Sequence, residues 1–77
     1  MTIETNSNLG SERILRLPEV IKRTGLSRST IYMKIQEKTF PKQINLSVRS
    51  TGWLESEITE WISKRIASSR LHIPKPT

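Results

Sequence analysis

Apolar side chains recur along this chain at helical spacing in three stretches and at strand spacing in a fourth. Leu17, Val20 and Ile21 predict a short helix over Leu17–Gly25. Pro18 suits its first turn, where a missing N–H costs nothing. Glu19 stands near the positive end of the helix dipole, and Lys22 and Arg23 near the negative end. Gly25 fits the left-handed position just past the helix. Ile31 and Ile35 share one face of a second helix over Ser27–Glu37. The Ser27 hydroxyl suits its N-cap, and Leu26 packs just before the cap. Two helices joined through Thr24-Gly25-Leu26-Ser27 make a helix-turn-helix in outline.

Phe40-Pro41 ends that region, and the polar–apolar alternation over Gln43–Ser47 has the period of a half-buried strand. Ser50-Thr51-Gly52 signals a turn, and Trp53-Leu54 makes a short return strand. The expected hairpin has its tip at Ser47 to Gly52 and must pack on the helices, because two strands alone are marginal. Ile58, Trp61, Ile62 and Ile66 form one apolar stripe of a third helix over Glu55–Ser69, expected to be core. Glutamates at its start and Lys64, Arg65 and Arg70 at its end match the dipole. Ile14 and Leu15 add an edge segment. The fold class read from this pattern is mostly α with a small β-hairpin, a winged helix-turn-helix with three helices.

At 77 residues the chain makes one small domain with a thin core, which favours a binding module over a deep substrate cavity. Residues 1–12 are polar and are read as a disordered segment, 13–70 as the folded domain, and 71–77 as a tail with two prolines. With no cysteine and no aspartate, a lone His72 and no glycine-rich phosphate loop, nothing points to catalysis, a metal or a cofactor. The N-terminus lacks the basic and apolar stretches of a signal peptide, and no apolar run reaches the roughly 20 residues of a membrane span. The expected location is the cytoplasm.

Charge sharpens the picture. The chain carries 13 Lys and Arg against 7 Glu, a formal +6. Residues 13–49 hold nine of the cations (Arg13, Arg16, Lys22, Arg23, Arg28, Lys34, Lys38, Lys42, Arg49) and two of the acids, Glu19 and Glu37, hence +7; the remainder, four against five, is −1. A polyanion is the natural partner of such a segment. With Ile31 and Ile35 turned inward, the second helix presents Ser29, Met33 and Gln36, flanked by Arg28 and Tyr32. Arg28 can read guanine and Gln36 adenine with paired hydrogen bonds, while Met33 can touch a thymine methyl. The candidate base contacts are therefore Arg28, Ser29, Tyr32, Met33 and Gln36; Tyr32 also suits phosphate. Lys22, Arg23, Ser27, Thr30, Lys34, Lys38 and Lys42 are candidate backbone contacts, and Arg49 at the hairpin tip is a candidate for phosphate or the minor groove.

The order Arg16-Leu17-Pro18-Glu19-Val20, Thr24-Gly25-Leu26-Ser27-Arg28-Ser29-Thr30-Ile31-Tyr32, Phe40-Pro41-Lys42, Gly52-Trp53, Ser56-Glu57-Ile58 and Trp61-Ile62 resembles the AlpA family of phage-type regulators over about residues 13–67. That family is similar to MerR-type winged helices and small phage excisionases. The resemblance implies a short DNA-binding protein of a prophage or integrative element in the bacterial nucleoid, with its recognition helix at Ser27–Glu37 and its wing at about Ser47–Gly52. Such a protein regulates transcription, or bends attachment-site DNA as an excisionase in contact with an integrase. Cooperative binding of several copies fits either role. Ser47 departs from the family, which commonly has Gly there, and this bears on the turn geometry of the wing. An interaction module that inhibits a protein partner through its basic face is the alternative from another class.

Overall fold

The computed structural model describes residues 12–71. Its elements are β1 (Ile14–Leu15), α1 (Leu17–Thr24), α2 (Arg28–Gln36), β2 (Ile44–Ser47), β3 (Ser50–Leu54) and α3 (Glu55–Leu71). The winged helix-turn-helix expected from the pattern is the architecture observed. The segments expected to be disordered or tail-like at 1–11 and 72–77 lie outside the described residues. At the margins the fold reaches one residue further than expected. Glu12 accepts hydrogen bonds from the backbone N–H and the hydroxyl of Ser56, at 3.1 and 2.9 Å, and Leu71 is the last residue of α3.

The turn between the first two helices is built as its residues dictate. The Glu19 carboxylate accepts from the Arg16 backbone N–H at the start of α1 (3.2 Å), satisfying one exposed donor. Gly25 closes the helix at φ 76°, its N–H donating to Ile21 O at 2.8 Å. The Thr24 hydroxyl donates to Val20 O and accepts from Leu26 N–H, which aims the chain into the next helix. Ser27 then caps α2 by accepting from the Thr30 N–H at 3.2 Å. After α2 the chain reverses at Lys38, a non-glycine residue in the left-handed region at φ 65°.

The three strands form an antiparallel sheet in the order β1-β3-β2. Ile14 and Leu15, expected as an edge segment, pair with Leu54 and Trp53. The wing is tighter than expected. Its turn is Val48-Arg49 alone, and β3 starts at Ser50, so Gly52 is not in the turn but inside a strand. A Cβ on Gly52 would stand 2.5 Å from Ile14 Cγ2 and 3.0 Å from Leu15 O, so this position is kept bare by the close approach of β1. The absence of glycine at Ser47 is also explained. Among the described residues the only non-glycine residue with positive φ is Lys38, so Ser47, Val48 and Arg49 need no left-handed conformation. The register instead shifts between Asn45 and Ser47, with Leu46 as the extra residue, and this bulge supplies the local twist.

The core is Leu15, Val20, Ile31, Phe40, Trp53 and Ile58, all buried. The α3 stripe is less buried than its periodicity predicts. In the α3 stripe only Ile58 is fully buried; Trp61 and Ile62 are half-buried and Ile66 is 45% exposed. The stripe outruns the small core it packs on. Trp53 at 0% exposure occupies the centre instead, its indole N–H donating to Pro41 O at 3.0 Å. Trp61 lies edge-on to Phe40 with centroids 4.9 Å apart and donates to Thr39 O at 2.8 Å.

Candidate nucleic-acid interface

The face of α2 that the periodicity turns outward is uncovered. Arg28, Ser29 and Gln36 are exposed, and Met33 is 50% exposed. Ser29, Met33 and Gln36 follow one another at i, i+4 and i+7, so they line a single strip along the helix. Ile31 anchors the opposite side in the core, and Ile35 packs beside it. Tyr32, expected among the base contacts, sits at the margin. It is half-buried against the core, its ring centroid 6.3 Å from that of Trp53, and the Arg28 guanidinium carbon lies 5.6 Å from the centroid of the same ring.

The nine cations of residues 13–49 divide into two groups. Three hold the fold together. Arg13 pairs with Glu55 at 3.3 Å and with Glu19 at 3.6 Å. Arg16 Nε donates to Thr51 O at 3.0 Å and ties the start of α1 to the wing strand. Arg23, expected on the phosphate backbone, donates through Nη1 to the Thr59 hydroxyl at 3.1 Å and so links α1 to α3. Lys22, Arg28, Lys34, Lys38, Lys42 and Arg49 make no ion pair among the described residues; Lys34 is half-buried and the other five are exposed. Their charge has no internal partner, so it projects outward.

Ser27 and Thr30, also expected on the backbone, are engaged with each other: the Ser27 hydroxyl donates to Thr30 Oγ1 at 2.9 Å. Their first duty is the α2 cap, which fixes where Arg28 and Ser29 begin the helix. Arg49 sits in the wing turn as expected. The sequence reading missed its neighbour Val48, which is 97% exposed. No local signal marked it, since Ser-Val-Arg-Ser lacks the glycine or asparagine by which a two-residue hairpin turn is usually read.

Residues 13–66 match the family model described as the prophage CP4-57 regulatory protein (AlpA). The chain belongs to the AlpA family. It is 49% identical over 65 residues to a DNA-binding transcriptional activator AlpA of Escherichia coli K12, covering 77% of this chain and 93% of that protein. It is 46% identical over 63 residues to an uncharacterized protein of Enterobacteria phage P4, covering 82% of this chain and 72% of that one. The AlpA match spans every element from β1 to most of α3, so the exposed α2 strip and the wing both lie inside it.

Proposed function

We propose that this AlpA-family protein is a sequence-specific regulator that binds double-stranded DNA, acts on genes of a prophage or integrative element, and works in the cytoplasm where that DNA resides. The single observation that carries the reading is the uncovered strip of α2, a helix with one side in the core and Ser29, Met33 and Gln36 left to solvent beside Arg28. A helix seated in this way enters the major groove with its N-terminal residues at base edges. The name of the E. coli relative, a DNA-binding transcriptional activator, supports the same chemistry for this chain.

In this reading Arg28 and Gln36 supply paired hydrogen bonds, Ser29 a permissive one, and Met33 an apolar contact. Lys22, Lys34, Lys38 and Lys42 meet phosphates, while Arg49 on the wing meets the adjacent backbone or minor groove. The Ser27–Thr30 cap sets the register of the helix start. A recognition helix of nine residues reads few base pairs, so several copies binding side by side, or an integrase partner in excision, extend the site.

The test is footprinting on DNA flanking the gene of this protein, at two salt concentrations. A discrete protected site that survives the higher salt supports sequence reading. Protection that spreads along all DNA and vanishes at the higher salt leaves only electrostatic binding and sinks the proposal.

A further inference from the structure

Arg28 stands at a costly position. It is the first residue of α2, where the helix dipole is positive, and no acidic residue occupies the first turn. It makes no ion pair among the described residues. An exposed arginine of this kind ordinarily samples many rotamers and loses that freedom on binding. The structure gives it one intramolecular partner, the Tyr32 ring, 5.6 Å from the guanidinium carbon and one helical turn further on. That ring is in turn backed by Trp53, which is fully buried and held by its bond to Pro41.

We propose that Tyr32 is a positioning residue for Arg28: its ring, wedged against Trp53, holds the guanidinium plane in place so that the donor fork is presented edge-on to a guanine. This rests on the DNA-binding reading above and changes the role of Tyr32 within it, from a residue that touches DNA to one that acts through another. The ring takes the face of the guanidinium. The N–H groups lie in its plane and stay available for the paired bonds to guanine. The phenol hydroxyl has no part in this arrangement.

Two substitutions separate the ring from the hydroxyl. Tyr32→Phe keeps the platform and removes the oxygen. Tyr32→Leu keeps apolar bulk against Trp53 and removes the platform. The readout is the ratio of affinities for the footprinted site and for the same site with its Arg28-contacted guanine replaced, measured beside a thermal melt. We expect Tyr32→Phe to leave the ratio unchanged and Tyr32→Leu to lower it about 2- to 5-fold, the size of an exposed cation–π contact. Affinity for unrelated DNA stays the same in both. In an Arg28→Ala background Tyr32→Leu then has no further effect on the ratio. A loss with Tyr32→Phe overturns the proposal and returns the hydroxyl to a direct DNA contact. An unchanged ratio with a folded Tyr32→Leu protein overturns it too, since the ring then does nothing for Arg28. If the native protein shows no preferred site at all, the DNA-reading proposal has failed instead, and the two failures are distinct.

Discussion

Arg28 and Lys38 bracket α2, and both sit where local stability alone would not place them. A cation at a helix N-terminus opposes the dipole by a few tenths of a kcal/mol, and alanine is the better helix former. Arg28→Ala is therefore expected to move stability by no more than about 0.5 kcal/mol in either direction. The same change is expected to weaken binding to the preferred site by roughly 1–3 kcal/mol while leaving unrelated DNA nearly unaffected. Parallel titrations on the two DNAs decide this, and an equal loss on both would make Arg28 a phosphate contact. Lys38 carries backbone strain at φ 65°. Lys38→Gly removes that strain and should raise stability by roughly 0.5–1 kcal/mol. It also removes an exposed cation, so the slope of log affinity against log salt should fall by about one unit. A variant with a higher melting temperature and an unaltered slope would place Lys38 off the DNA.

At the level of elements, the helices were legible in the sequence and the wing was only partly so. Pro18, Gly25 and Ser27 each do one local job that their chemistry names, so the boundaries of α1 and the start of α2 follow within a residue. The wing defied its punctuation because its geometry is set by contacts between strands and not by local turn residues. Gly52 looks like a turn residue but serves the close approach of β1, whose Ile14 stands 38 residues earlier in the chain. The bulge at Leu46 leaves no mark at all in local composition. The Trp61 stripe misled for a related reason, since periodicity reports which face is apolar and not how far the core extends beneath it. The Gly52 reading has its own check. Gly52→Ala sets a methyl against Ile14 and the Leu15 carbonyl and should cost about 1–3 kcal/mol of stability, as overpacking does. A melt indistinguishable from that of the native protein would mean that β1 yields freely there.

For the molecule as a whole, a thin core and an excess of positive charge set what can be changed. Trp53 joins the sheet to Pro41 and to Tyr32, so Trp53→Ala should cost about 3–5 kcal/mol and leave little of a domain this small folded at room temperature. Trp61→Phe keeps an aromatic ring against Phe40, loses the hydrogen bond to Thr39 and part of the surface under Arg65, and should cost roughly 1–2 kcal/mol. Circular dichroism melts rank the two, and a larger loss at Trp61 would show that the core lies nearer α3 than its burial indicates. Arg13 is ion-paired with Glu19 and Glu55, whereas Arg16 and Arg23 hydrogen-bond the neutral oxygens of Thr51 and Thr59 and so are held in place but keep their charge. The other six of the nine cations over residues 13–49 make no ion pair among the described residues. If most of these six meet phosphates or guanine, a single protomer should show a salt slope of roughly 4–5, at about 0.9 per neutralised phosphate. A slope near eight would mean that Arg13, Arg16 and Arg23 meet phosphates as well, and a slope near two would mean that the unpaired cations surround the domain instead of converging on one face.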